Sequence, residues 1–349
     1  MPFKQADNFL LGPITNSVGA NAARNKAMDV ALVQNLLNIS AKVPEVKRKT
    51  FYDPKPKISA GSRITAPTTV TKKHVLPLLV NGKCDATTIA RIKSFQTEFL
   101  SFKPDGNIGT RGDTWKKLIA VTQVKIRTSS KIQLIFGVPL VSIELKNIDK
   151  ARLKSLIQSH LQLDNKNEEC AAFITNLVSD TTLTNFRWAA YYLATAYHET
   201  MFCFNNGVEK GKGSTKSYGT AISVIDTEGY RGAKGKTYSN AFYGRGLIQL
   251  THGVAYKYVS IKVGLRKEEL YVNPDKALES KVSYDIMTYW MQNNIPNVKG
   301  AGRTIQEHTS SVGLVDYLGA RLIINGKDKD RMIARYATIF EILLILSAR

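Results

Sequence analysis

The chain has 349 residues, 43% of them apolar and 22% charged, which excludes a disordered chain and, at this length, favours two domains. Its 49 Lys and Arg residues against 28 Asp and Glu give a net charge of +21, which favours a polyanionic partner such as a bacterial envelope. Nucleic acid is not favoured, because the sequence carries neither an Arg-rich reading helix nor an aromatic RNA-binding signature. Solubility alone is the other explanation of the charge.

Residues 1–26 are rich in Gly, Asn and Ala and are predicted to form an irregular leader. They lack the basic segment and long apolar run of a secretory signal peptide, and no apolar stretch of the chain reaches the roughly 20 residues of a membrane span. The three cysteines are too widely spaced for a disulfide framework or a zinc site. We therefore expect a protein made in the cytoplasm that needs a separate route of export or release.

Three helices are predicted between residues 27 and 122, connected by a long basic loop over about 41–75 and by two glycine turns. The second helix covers residues 86–100, and the third begins at Asp113. The first helix is amphipathic, with its apolar residues on one stripe: Val30, Val33, Leu36 and Leu37.

The order of these features resembles the three-helix peptidoglycan-binding domains of bacterial wall enzymes. The resemblance lies in four motifs: Val80-Asn81-Gly82, the Thr87 to Gln96 helix, Pro104-Asp105-Gly106 and Thr114-Trp115-Lys116. It implies a wall-binding module over residues 27–122. Phe95, Phe99 and Trp115 suit core positions, so no single residue of this module is assigned to the ligand.

Residues 123–150 mix β-branched and basic side chains and are predicted to form a linker. Helical patterns then dominate residues 151–349, so the fold class is mainly α, with a second helical domain behind the small three-helix module. One predicted helix, Phe186 to His198, is apolar nearly all round and begins after the capping residue Asn185. A helix of this kind must be buried.

Glu199 follows that buried helix directly. A carboxyl group among apolar neighbours loses hydration of its charged form, so its pKa is expected to rise, as a general acid near neutral pH requires. The alternative is that Glu199 forms an ion pair with a Lys or an Arg. Hydrolysis of a glycoside needs a second carboxyl group, and we favour Glu209, which follows a turn, over Glu228 and Asp226.

A glycine-punctuated segment, Phe242-Tyr243-Gly244-Arg245-Gly246, runs on into Gln249-Leu250-Thr251. The glycines let the backbone pass close to a ligand. Arg245 can hold a carboxylate, and Gln249 and Thr251 offer hydrogen bonds to sugar or water.

These motifs, Ala-Tyr-His-Glu-Thr at 196–200, Tyr-Gly-Arg-Gly-Leu-Ile-Gln-Leu-Thr at 243–251 and Ile-Ile-Asn-Gly at 323–326, resemble glycoside hydrolase family 19. That family includes plant chitinases and lysozyme-like enzymes of phages and bacteria. The resemblance covers about residues 150–349 and implies a lysozyme-like α-helical catalytic domain that inverts the anomeric carbon. The sequence departs from the family at 201–204, where Met-Phe-Cys-Phe replaces the usual Gly-Gly.

The resemblance implies roles for particular residues. The catalytic set is Glu199 as acid, Glu209 as the second carboxylate and Thr251 as a residue that holds the attacking water. Substrate contacts are expected from His198, Tyr243, Arg245, Gln249 and Asn325. No metal or other cofactor is expected, because His198 and His252 have no carboxylate or Cys at ligand spacing.

Together these features predict a muramidase that cleaves the β-1,4 bond between MurNAc and GlcNAc in peptidoglycan by acid and base catalysis. The wall-binding module is what favours peptidoglycan over chitin, and a chitinase is the first alternative. A catalytically inactive wall-binding protein and a nucleic-acid binder are the others.

The expected site of action is the periplasm or cell wall of a target or host bacterium. Two settings fit a chain without a signal peptide: a phage endolysin, and a type VI secretion effector, which we favour. An effector implies two further partners, the secretion machinery and a cognate immunity protein.

Overall fold

The computed structural model describes residues 14–41, 78–128, 143–161, 168–201, 204, 207–293, 303–309, 315–324, 326 and 328–349. The chain is mainly α-helical, which confirms the predicted fold class. The described helices are α1 Ala27–Ser40, α2 Ala86–Phe99, α3 Asp113–Thr128, α4 Lys150–Leu161, α5 Glu168–Ser179, α6 Phe186–Glu199, α7 Gly253–Lys262, α8 Glu269–Val272, α9 Ser280–Gln292, α10 Ile305–His308, α11 Tyr317–Ala320 and α12 Asp330–Ser347. The described strands form two antiparallel pairs, β1 Val18–Gly19 with β2 Asn107–Ile108 and β3 Ile222–Asp226 with β4 Lys236–Asn240.

Helix α1 is buried on nearly every side, whereas its sequence predicted one apolar stripe. It packs against α2, α3 and α12. Its buried polar residues satisfy neighbouring turns: Gln34 accepts hydrogen bonds from the backbone N–H groups of Asn81 and Gly82, both at 3.1 Å. Hydrogen bonding of this kind removes most of the cost of burying an amide.

In helix α2, the side chain of Gln96 binds a neighbouring turn in the same way as Gln34 does in α1. The Gln96 side chain accepts a hydrogen bond from the Gly106 N–H at 2.9 Å and donates to the Asp105 carboxylate at 2.7 Å. Each of the two predicted glycine turns is thus held by a buried glutamine from the preceding helix. The three helices predicted for residues 27–122 are present, and their wall-binding role stays a prediction.

Both ends of the predicted linker, residues 123–150, belong to ordered parts of the fold. Helix α3 continues to Thr128, and the linker's last residues contact the C-terminus. Ile148 pairs with Ala348 in an isolated antiparallel bridge, and the Asp149 N–H donates to the Ser347 carbonyl at 2.9 Å. Residues 129–142 lie outside the described part of the chain.

The long α12 packs along α6 and is in contact with α4, α11 and α1 as well. Residues Phe186–Tyr197 of α6 are buried, as its apolar sequence predicted. The ring of Tyr197 meets Tyr336 and Phe340 of α12 edge-on, at centroid distances of 5.1 and 5.9 Å. Aromatic pairs in this geometry contribute about 0.5–1.5 kcal/mol each beyond the area they bury.

A buried polar cluster lies between α6, α11 and α12. Glu341 of α12 accepts a short hydrogen bond from the Tyr317 hydroxyl, and the Arg187 Nε lies 3.8 Å from its carboxylate. All three side chains have almost no solvent exposure. Since a charge inside a core requires a partner, this cluster fixes how the three helices pack.

A short helical segment precedes and includes Arg321. Tyr317–Ala320 forms α11, and Arg321–Ile323 continues it as a 3₁₀ turn. The Asp316 side chain caps α11 by accepting the Gly319 N–H at 2.8 Å. Residues 310–314 lie outside the described part of the chain.

No helix in the described part of the chain combines the length and the apolar character that crossing a bilayer requires.

Candidate active site

Glu199 is the last residue of α6. The helix begins at the capping residue Asn185, whose side-chain oxygen accepts the Arg187 N–H at 2.9 Å. It ends with Thr200, whose hydroxyl donates to the Ala196 carbonyl at 2.7 Å and accepts the Phe204 N–H at 2.8 Å. The helix end is therefore fixed by local hydrogen bonds, and the Glu199 side chain projects from a rigid element with 14% of its surface exposed.

Glu199 forms an ion pair with an arginine, which was the alternative to a carboxyl group surrounded only by apolar neighbours. The Arg321 Nη1 lies 2.5 Å from Glu199 Oε1. Arg321 is almost fully buried, and its Nε donates to the Asp328 carbonyl at 2.9 Å. The guanidinium therefore fixes the direction of the carboxyl group through one of its two oxygens.

His198, beside Glu199, is half-buried. Burial lowers the pKa of this imidazole below its ordinary value, although the charge of Glu199 acts in the opposite direction. The ring is therefore neutral at neutral pH. Its predicted contact with substrate stays a prediction.

Glu209 is bound to the glycine-punctuated segment through its backbone and its side chain. The Glu209 N–H donates to the Gly244 carbonyl at 2.8 Å, and the Gly244 N–H donates to Glu209 Oε2 at 3.0 Å. A Cβ at residue 244 would lie 3.3 Å from the Glu209 Cβ and 2.8 Å from the Gln249 Oε1. Glycine at this position is thus what allows the two chain segments to approach.

Tyr218 holds the other oxygen of Glu209, donating its hydroxyl to Oε1 at 3.0 Å. Burial, together with the charge and hydrogen bond of Glu209, raises the pKa of Tyr218. The hydroxyl therefore keeps its proton and remains a donor. Tyr218 was not among the residues that the sequence singled out, because no motif there marks it as a partner of Glu209.

Arg245 was predicted to contact substrate, and the structure gives its guanidinium protein partners. It is buried, and its Nε donates to the Asp275 carboxylate at 2.9 Å. Its Nη1 donates to the Ala241 carbonyl at 3.0 Å, and the Tyr243 ring centroid lies 3.7 Å from its Cζ. In the described residues Arg245 thus orders the segment around Tyr243, and direct contact with substrate stays a prediction.

Gln249 and Thr251 lie on the return side of the same turn, in which Arg245 and Leu250 pair through two backbone hydrogen bonds. The Gln249 side chain donates to the carbonyls of Gly207 and Gly246, at 3.2 and 3.1 Å. It therefore connects the segment before Glu209 to the turn. Thr251 is half-buried just before α7.

The other two acidic candidates have different surroundings. The buried Asp226 accepts backbone N–H groups from Gly229, Tyr230 and Arg231 at 2.7 to 2.9 Å. Burial raises its pKa, but these hydrogen bonds outweigh burial, so the pKa lies below its ordinary value. Exposed Glu228 faces Lys234 at 3.7 Å. Both belong to the turn region of the β3–β4 hairpin, which the sequence analysis did not predict.

The structure thus joins Glu209, through Gly244, to the hydrogen-bonded turn that contains Tyr243, Arg245 and Gln249. Glu199 sits at the start of the segment that leads to Glu209, and Phe204 within this segment packs on Tyr197 at a ring distance of 5.5 Å. Asn325 and residues 202, 203, 205 and 206 lie outside the described part of the chain. In the described ranges, no three His, Cys, Asp or Glu side chains group as metal ligands.

Comparison with solved structures gives alignments to bacterial chitinases over 58% of this chain. Chitinase C from Streptomyces griseus HUT6037 aligns over 95% of its own chain at 19% identity and a TM-score of 0.33. A bacterial family 19 chitinase aligns over 97% of its chain at 18% identity and a TM-score of 0.36. No protein-family model and no curated protein matches the chain.

Proposed function

We propose that this protein is a glycoside hydrolase that cleaves the β-1,4 bond between MurNAc and GlcNAc in peptidoglycan. The observation that carries the proposal is the pair of oriented glutamates. Glu199 stands at the end of a buried helix with Arg321 on one oxygen, and Glu209 is held through both oxygens by Tyr218 and the Gly244 N–H. Hydrolysis of a glycoside needs two such carboxyl groups in different roles.

Glu209 is the base in this proposal. Each carboxylate oxygen can accept more than one hydrogen bond, so the two donors that orient Glu209 leave it able to accept a proton from water. Thr251 is the residue that holds this water together with Glu209. A base that acts on water and forms no covalent bond gives inversion at the anomeric carbon.

Glu199 is the acid in this proposal, and the oxygen that does not face Arg321 is the one that delivers a proton to the substrate. Transfer of this proton to the glycosidic oxygen releases the leaving sugar. Substrate contacts are assigned to His198, Tyr243 and Asn325, whereas Arg245 and Gln249 position the turn that holds Glu209.

Two features support peptidoglycan over chitin as substrate. The net charge of +21 favours an anionic polymer, and chitin is neutral. The three-helix unit at the N-terminus, which resembles wall-binding domains, would raise the local concentration of peptidoglycan at the site. We further propose that the protein acts in the periplasm or cell wall, as a secreted effector with an immunity partner or as an endolysin.

The test is hydrolysis of purified peptidoglycan and of chitin oligomers by wild type, Glu199→Gln and Glu209→Gln. Loss of an acid or base lowers kcat about 10²–10⁴-fold, and we expect this loss in both variants. Glu228→Gln is the matched control, because it neutralises an exposed glutamate of the same region, and it should keep wild-type activity. Faster cleavage of chitin oligomers than of peptidoglycan would make the protein a chitinase. Full activity of Glu209→Gln with loss in Glu228→Gln would transfer the base to Glu228.

A further inference from the structure

Three exposed lysines follow Glu209 directly: Lys210, Lys212 and Lys216. In the part of the chain that the structure describes, no carboxylate lies within ion-pair distance of any of them. Other surface lysines of the same domain have such a partner, for example Lys234 with Glu228 at 3.7 Å. In the described residues, the positive charge of these lysines thus has no carboxylate partner close enough to neutralise it.

The backbone holds these lysines in a defined turn. Gly211, Lys212 and Gly213 are three consecutive residues with positive φ, at 73°, 50° and 63°. A Cβ at residue 213 would lie 2.6 Å from the Tyr218 ring, and one at residue 219 would lie 2.0 Å from the Gly213 carbonyl oxygen. Close packing of this kind, together with the hydrogen bond from the Lys212 N–H to the Glu209 backbone carbonyl at 2.9 Å, ties the turn to Tyr218 and to the backbone of Glu209.

Lys212 points its charge toward the same surface as the proposed substrate contacts. Its Nζ lies 5.8 Å from the centroid of the Tyr243 ring, within the range of a cation–π contact. Tyr243 is half-buried and adjoins Gly244, which binds Glu209. A sugar bound against Tyr243 and Glu209 would therefore lie next to an ammonium group.

Because a chitin strand has no charged group for an ammonium ion to contact, this lysine turn would add nothing to its binding. A peptidoglycan strand carries peptides with free carboxylates on every second sugar. We propose that Lys212, assisted by Lys210 and Lys216, binds carboxylates of the peptide attached to the glycan and so selects peptidoglycan over neutral GlcNAc polymers. This inference rests on the proposed function and assigns its substrate specificity to a particular turn.

The expected effect is modest because the lysines are exposed and salt screens them. An exposed pair contributes about 0.2–1 kcal/mol, so Lys212→Gln should lower kcat/KM on peptidoglycan about threefold at low salt. Neutralising all three lysines should lower it about tenfold. The losses should disappear as the ionic strength approaches about 1 M, where the screening length falls to about 3 Å.

The experiment compares one peptidoglycan preparation, freed of phosphate polymers, before and after its carboxylates are amidated with methylamine. Wild type should be about tenfold less active on the amidated wall, Lys212→Gln should keep a smaller preference of about threefold, and the variant that neutralises all three lysines should show equal activity on both. Lys212→Arg should restore the preference for the native wall. Lys262→Gln is the matched control, because Lys262 is also exposed and its Nζ lies 6.0 Å from the Tyr258 ring; it should behave as wild type.

A binding measurement keeps the inference separate from catalysis. Isothermal titration of a disaccharide muropeptide and its amidated form into wild type and Lys212→Gln reports carboxylate recognition even where no bond is cleaved. Tighter binding of the native form by wild type, reduced in Lys212→Gln, supports the inference even if the hydrolase proposal fails. An equal loss on native and amidated peptidoglycan, or a loss in Lys262→Gln as large as in Lys212→Gln, would overturn it.

Discussion

His160 connects stability to pH in a way that can be calculated from the structure. It lies in the last turn of α4, its Nε2 is shielded from solvent, and burial lowers its pKa from 6.5 to about 4, with the charge of Asp29 acting in the opposite direction. The unfolded chain therefore binds this proton first as the pH falls. Stability is lost through the window from pH 6.5 to about pH 4, by about 2 kcal/mol at pH 5 and about 3 kcal/mol at pH 4.

The assay is urea unfolding of wild type and His160→Gln at pH 7.5, 6, 5 and 4.5. The glutamine does not titrate, so the difference in unfolding free energy between the two proteins should change by about 2 kcal/mol between pH 7.5 and 5. Other titrating groups cancel because both proteins contain them. A difference that stays constant with pH would show that protonation of His160 costs no more in the folded chain than in the unfolded one.

Three further substitutions test separate parts of the structure. Tyr218→Phe removes one of the two donors to Glu209 and should lower kcat on peptidoglycan about tenfold without a change in the circular dichroism spectrum; an unchanged kcat would contradict the assigned role. Glu341→Leu leaves the Arg187 guanidinium in the core without this carboxylate and should destabilise the fold by about 4 kcal/mol in urea. Gly82→Ala adds a Cβ 2.7 Å from the Leu346 Cδ2 at φ +72°, and should cost about 2 kcal/mol; wild-type melting would refute the close approach.

The central helix could be predicted from the sequence, while the partner of its last residue could not. Phe186 to Tyr197 is apolar on all sides, and only a fully buried helix accommodates such a sequence. Arg321 lies 122 residues after Glu199, in a region whose helical pattern gives no sign of a contact. The burial of a residue follows from local periodicity, but an ion pair between distant residues depends on how the helices pack.

Helix α1 shows a different limit. Its apolar stripe predicted one buried face, whereas Gln34 and Asn38 on the polar face are buried as well. Both bind backbone groups of residues that are 40 or more positions away, such as the Leu78 N–H. A polar side chain on a helix can face solvent or can form hydrogen bonds with a buried turn. The local sequence does not distinguish these two environments.

The β3–β4 hairpin was missed although signals for it were present. Ile222, Val224 and Ile225 are β-branched, which favours a strand, and Asp226 is followed by a glycine that the turn uses with positive φ. The abundance of Gly, Ser and Lys around this short stretch obscured its pattern. Tyr218, which orients Glu209, lies in the same underestimated region.

The measurement that tests the central claim most directly is mass spectrometry of the soluble products from purified peptidoglycan incubated with wild type and with Glu199→Gln. We expect muropeptides with MurNAc at the new reducing end from wild type and none from Glu199→Gln, with both proteins folded by circular dichroism. New reducing ends on GlcNAc would contradict the assigned bond. Equal products from both proteins would contradict Glu199 as the acid, and no products from wild type would contradict the glycosidase itself.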